Sequence, residues 1–169
     1  RWNDLLGELG LDGSVVNPYW NRTKGEMAAD CRNPGLLKQV ATDSLSCSSP
    51  SKGRWQGLGI EHCGYCLPCL IRRAALVAAW GPGGDETTYT VVDLHAQPLD
   101  TRESTGKQVR SFQYAIERLR GNPQLSKLLI HKPGSLADEV ARLDQLAEVY
   151  RRGLQEVARL VDGVETRPN

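Results

Sequence analysis

Cys63-Gly64-Tyr65-Cys66-Leu67-Pro68-Cys69 sets a thiol at every third position, and Cys47 adds a fourth sixteen residues upstream. The loop between Cys47 and Cys63 holds Pro50, Gly53, Gly57 and Gly59, which lets it bend back on itself. Zinc takes four donors in a tetrahedron, and thiolates separated by two residues around a turn can share one ion without strain. The stretch predicts a structural zinc knuckle with Cys47, Cys63, Cys66 and Cys69 as ligands.

Two other readings of the thiols compete with this one. Disulfides staple small secreted domains, but the N-terminal residues do not read as a signal peptide, and the five cysteines leave one over. Cysteines two apart are also poorly placed to bridge each other. An iron–sulfur cluster is the closer rival, because thiolates at this spacing hold clusters too. Cys31 falls in a helical pattern and reads as a small buried apolar residue. His62 could replace a cysteine ligand, although it directly precedes Cys63.

Beyond Cys69, residues 70–80 form an apolar, alanine-rich helical pattern that Gly81-Pro82 stops, with Pro68 suited to its first turn. Four thiolates around a dication leave about two negative charges in excess. Arg72 and Arg73 follow Cys69 by three and four positions and can offset that charge. They can equally be solvated, or hold a phosphate or carboxylate.

The chain has 169 residues, is 40% hydrophobic and carries a formal charge of +1, so bulk electrostatics gives no argument for a nucleic-acid or membrane partner. No apolar run approaches the length of a membrane span. The chain opens at Arg1 and its single methionine is Met27, which suggests a C-terminal portion of a longer protein. Residues 2–11 read as a short helix that Gly10 could end, and Asn17-Pro18 as extended. Thr23-Lys24-Gly25-Glu26 fits a capping box that opens a helix through Cys31. Asn33-Pro34-Gly35 breaks it, and Leu36, Leu37 and Val40 carry a further short helix.

The order of Asn17-Pro18, Thr23-Lys24-Gly25-Glu26-Met27, Thr42, Ser46-Cys47 and then Cys63, Cys66, Cys69 and Arg72 resembles the C-terminal half of the 7-cyano-7-deazaguanine synthase (QueC-like) family. These are nucleotide enzymes of the PP-loop ATP pyrophosphatase group. The resemblance covers about residues 1–80. The long loop between Cys47 and Cys63, and the roughly ninety residues after the knuckle, look more like the QueC-like paralogues of bacterial anti-phage defence (the Qat system) than the housekeeping synthases. The family's ATP loop, Ser-Gly-Gly-x-Asp-Ser, is absent. Gly81-Pro82-Gly83-Gly84-Asp85-Glu86 does not replace it, because it leaves a helix instead of leading from a strand into one.

The resemblance implies the C-terminal portion of an α/β (HUP-like) enzyme, here mainly α with a zinc knuckle and few short strands. The intact enzyme is then expected to use ATP and Mg²⁺ to adenylate a 7-deazaguanine carboxylate for attack by a nitrogen nucleophile, in the bacterial cytoplasm. Lys24 matches the family's lysine beside the capping box and is the candidate catalytic residue. Arg72 is the candidate cofactor-binding residue, and its other expected role is to offset thiolate charge.

After the QueC-like region at 1–82, a helical extension over 83–169 is expected, with a strand near 87–94 and helices near 107–120 and 136–162. Val109, Phe112, Ile116 and Leu119 give the first helix its apolar face. Ser135 and Asp138 can cap the second, along which Leu136, Val140, Leu143, Ala147, Tyr150, Leu154, Val157 and Val161 make a heptad seam. The seam predicts either an antiparallel hairpin with 107–120 or a homodimer. His95 and His131 are assigned no role. Two non-catalytic readings remain: a zinc module for nucleic acid, faintly suggested by Lys52 and Arg54-Trp55 but opposed by the charge balance, and an assembly module whose heptad helix recruits a protein partner of the defence operon.

Overall fold

The computed structural model describes residues 2–57 and 59–168, the side chains of Trp55 and Gln56 excepted. Trp55, part of the faint nucleic-acid signal, therefore lies outside the described side chains. The elements run α1 (Trp2–Glu8), α2 (Lys24–Ala29), α3 (Pro34–Asp43), a 3-10 helix (Pro50–Gln56), α4 (Leu67–Trp80), β1 (Leu99–Asp100), α5 (Ser104–Gly121), α6 (Leu125–Leu129), a second 3-10 helix (Ala137–Arg142), α7 (Leu143–Leu160) and β2 (Thr166–Arg167). The fold is mainly helical, and β1 and β2 pair in parallel with Leu99 opposite Thr166.

Local chemistry sets most of the helix starts. Thr23 Oγ1 accepts from Glu26 N at 3.1 Å and Glu26 Oε2 accepts from Thr23 N at 2.9 Å, so both halves of the capping box form. Asn33 Oδ1 accepts from Leu36 N at 3.0 Å and Pro34 stands in the first turn of α3. Helix α2 ends at Ala29 instead of reaching Cys31, because Asp30 leaves helical geometry ahead of this cap. Helix α4 starts at Leu67, from an extended Cys66 with Pro68 in its first turn, and ends at Gly81 with φ 80°.

Helix α4 is the centre of the molecule. It packs against both α2 and α7, which also touch each other, while α5 and α6 lie along α7. One core joins Leu70 and Ala74 of α4, Leu94, Val109 of α5, and Leu154 and Val157 of α7, so segments 1–82 and 83–169 share it. Helix α1 buries no residue, and Trp2, Leu9, Leu11, Val15 and Val16 are exposed.

The structure differs from the sequence expectations in two further places. Residues 87–94 make no strand: their ladder stops at one parallel bridge between Tyr89 and His62, with Thr90 N donating to His62 O (2.8 Å) and Val91 N to Cys63 O (3.1 Å). The partner backbone turns away into the knuckle, so pairing cannot propagate. The 136–162 helix is also not continuous. Residues 137–142 form a 3-10 helix that kinks at Glu139, and the α-helix begins at Leu143. The cause is a missing opposing surface. The start of α7 lies against α6, where Lys127 Nζ meets Asp144 Oδ1 at 2.7 Å. Among the described elements, the 3-10 helix over 137–142 packs on none but α7, and Val140 is 67% exposed. Of the later seam, Ala147, Leu154, Val157 and Val161 are buried within the chain and Tyr150 is partly buried.

Candidate metal centre and cleft

The knuckle brings its four predicted ligands together. The Sγ atoms of Cys47, Cys63, Cys66 and Cys69 all lie within 4.8 Å of one another, with Cys47–Cys66 at 3.9 Å and Cys63–Cys69 at 4.0 Å. Sulfurs bonded tetrahedrally to zinc at about 2.3 Å stand about 3.8 Å apart. A disulfide would require about 2 Å, and all five cysteines are free. The four thiols can therefore hold one metal ion such as zinc. Cys31 is elsewhere, its thiol 3.5 Å from Asn33 O.

Backbone amides help to fix the sulfurs. Ser49 N and Cys63 N each donate to Cys47 Sγ at 3.4 Å, and Cys66 N donates to Cys63 Sγ at 3.3 Å. The tight turn between the last ligands needs Gly64, whose φ is +85° and where an added Cβ would come within 2.5 Å of Val91 O. The thiols also oppose one another's ionisation. The contact between the two thiols of Cys63 and Cys69 pulls Cys63 down to about 4, and that same contact together with burial raises Cys69. Burial, before any other cause, raises Cys47. A dication would relieve this standoff, since four adjacent thiolates need positive charge at their centre.

His62 is buried at the edge of the cluster but points its proton elsewhere. Its Nε2 donates to Ser44 O at 2.9 Å, which leaves Nδ1 facing Cys69 Sγ at 3.7 Å. It does not join the four-sulfur set.

The arginines expected to offset thiolate charge have other bonds. Arg72 Nε donates to Thr87 Oγ1 (3.2 Å), Nη1 to Ser44 Oγ (2.8 Å), and Nη2 to Thr87 Oγ1 (3.1 Å) and the Ala41 carbonyl. It is a strut tying the end of α3 and the 87–94 segment to α4. Arg73 stacks on Tyr89 with its guanidinium 4.6 Å from the ring, and donates to Gly64 O (3.2 Å), Val91 O (3.0 Å) and Val92 O (2.6 Å). The Lys52 ammonium is held charged first by the Tyr65 hydroxyl, and the Cys63 and Cys47 thiols add to this. Its Nζ donates to Tyr65 Oη at 3.1 Å and to Ser104 Oγ at 3.2 Å. Sequence reasoning missed this role, because Lys52 comes near the thiols only when its loop folds back.

Beside the knuckle lies a cleft of about 1000 Å³ between α2, α3 and α4. Its lining includes Pro18, Lys24, Met27, Ser46, Arg72 and also Cys31. Comparison with protein-family models, curated proteins and solved structures gives no match. The cleft must therefore be read from its own residues. Lys24 makes no hydrogen bond or ion pair among the described residues, whereas Asp30 is paired with Arg22 at 3.4 Å. With Arg32 and Arg72 the lining holds three cations to one carboxylate, so its charge suits an anionic ligand.

The start of α2, where Lys24 stands, is clamped by α7. Arg152 Nε donates to Glu26 Oε1 at 2.6 Å, and its Nη2 donates to Glu26 Oε2 at 3.2 Å and Asn21 O at 2.8 Å. Thr23 Oγ1 donates to the Glu156 carboxylate. Gly25 admits this close approach, since an added Cβ there would stand 2.6 Å from Glu156 Oε1 and 3.1 Å from the Ala78 side chain. The sequence signalled the capping box but not the arginine that shares its glutamate. Among the described residues no helix is long and apolar enough to cross a membrane.

Proposed function

We propose that the chain is the zinc-binding C-terminal portion of a QueC-like, ATP-dependent enzyme that adenylates a 7-deazaguanine carboxylate for attack by a nitrogen nucleophile, in the manner of the anti-phage defence paralogues. One observation carries the reading. Pro18, Lys24, Met27, Ser46 and Arg72, far apart in sequence and all part of the resemblance, line a single cleft next to the four cysteines. A zinc ion there would fix the 47–69 loop and α4, hence one wall of the cleft.

In this reading the free Lys24 ammonium meets the substrate carboxylate or a phosphate, and Arg72 holds the cleft's shape, because the protein already uses most of its donors. ATP and Mg²⁺ belong to the intact enzyme, whose nucleotide-binding portion would cover the exposed apolar surface around α1. The fold of that whole would be α/β and HUP-like.

Turnover of ATP to AMP with a 7-deazaguanine carboxylate, measured on the intact enzyme beside a thermal melt, tests the assignment. Lys24→Ala should depress turnover and leave the melt unchanged. The 169 residues alone should neither bind ATP tightly nor release AMP. Hydrolysis by the isolated chain, or full turnover in Lys24→Ala, would overturn it.

A further inference from the structure

A second cavity, of about 560 Å³, opens between α5 and α7 and shares no lining residue with the Lys24 cleft. Its floor is apolar and built from buried side chains, Ile116 and Leu119 of α5 and Leu154 of α7. Three guanidinium groups also line it, from Arg120, Arg151 and Arg159, against a single carboxylate, Asp162.

Two of the three cations are uncommitted. Arg120 and Arg159 are exposed and make no hydrogen bond or ion pair with any described residue. Arg151 holds Glu148 through Nη2, yet its Nε is buried and finds no acceptor. A buried donor without a partner is uncommon in folded proteins and calls for an explanation. Arg120 and Arg159 stand in the last turns of α5 and α7, where a cation complements the helix dipole. That accounts for one charge at each helix end. It does not account for Arg151 in mid-helix, nor for all three meeting over one apolar floor.

We propose that this groove is a binding site for a small organic anion, with a phosphate or carboxylate head on an apolar or aromatic body. The planar guanidinium fork suits such a head, and the apolar floor takes the body. The cavity volume falls in the range of small-molecule sites. Because the head is matched by arginines, whose charge does not titrate near neutral pH, binding should persist across neutral pH and weaken with salt.

Phenyl phosphate titrated into the 169-residue chain by calorimetry tests the site, with inorganic phosphate as the head alone and phenol as the body alone. The expected result is saturable binding of phenyl phosphate, at least about ten-fold tighter than either half. Arg120→Gln with Arg159→Gln should weaken it by about ten-fold or more, while the ligand-free melting temperature falls by no more than the loss of two helix-end charges explains. Arg159→Gln alone should give a partial loss, a safeguard should the double variant fold poorly. Arg110→Gln, exposed on α5 and outside both cavities, should change nothing, which separates the groove from general surface charge. The proposal is overturned if phenyl phosphate does not saturate, if the groove variants bind it as the natural chain does, or if Arg110→Gln abolishes binding.

Discussion

The clamp of α7 on α2 gives a prediction whose size follows from the geometry. Arg152→Met removes two charge-assisted bonds to Glu26 and one to the Asn21 carbonyl, while keeping much of the aliphatic stem. A hydrogen bond to a charged group is worth about 1.5–3 kcal/mol, whereas an exposed ion pair gives about 0.2–1 kcal/mol. The side chains of Arg152 and Glu26 are 32% and 28% exposed, between those limits. A double-mutant cycle with Glu26→Gln should therefore return a coupling of about 1–2 kcal/mol, with Arg152→Met alone lowering the melting temperature by about 3–8 °C. Urea unfolding at pH 7, with zinc at constant excess, measures it. The pair also has an acid signature. Arg152 holds the Glu26 carboxyl below its ordinary value. The contribution is full above the ordinary carboxylate range and fades as pH falls through the lowered value. Arg152→Met should flatten that part of the acid limb. Additive effects in the cycle, with coupling under about 0.3 kcal/mol, would refute the clamp.

Three further outcomes are expected. Metal analysis of the purified chain should find one zinc per chain, lost in Cys63→Ser together with much of the stability and retained in Cys31→Ser; iron, or no metal in the natural chain, would contradict this. Arg72→Ala should lower stability by about 2–4 kcal/mol in denaturant unfolding, because the Ala41 carbonyl and the Thr87 hydroxyl lose their donor in a largely buried setting; a neutral result would return Arg72 to ligand binding alone. Leu154→Ala, at a buried position, should cost about 2–5 kcal/mol, and Leu143→Ala, half-buried at the start of α7, clearly less; equal losses would mean that the seam extends past the kink.

Local rules fixed much of this protein without a fold. The capping box at Thr23 and Glu26, the restart at Asn33-Pro34, the stop at Gly81 and the four-sulfur set all depend on residues close in sequence, or on the strict spacing of a chelate. Each could be read because its partners lie a few residues apart, or have only one way to meet. Tertiary structure decided the rest. A heptad pattern runs on from Leu136, but a helix persists only where something covers its face, and no other element covers residues 137–142. Residues 87–94 have the composition of a strand, yet pairing needs a straight neighbour and the knuckle bends away. Arg72 and Arg73 stand on the same helix as Cys69, and only the placement of α3 and the 87–94 carbonyls turned their donors away from the sulfurs. Lys52, Arg152 and the arginine groove bring together groups dozens of residues apart. Their meeting is a property of packing, which no local pattern encodes.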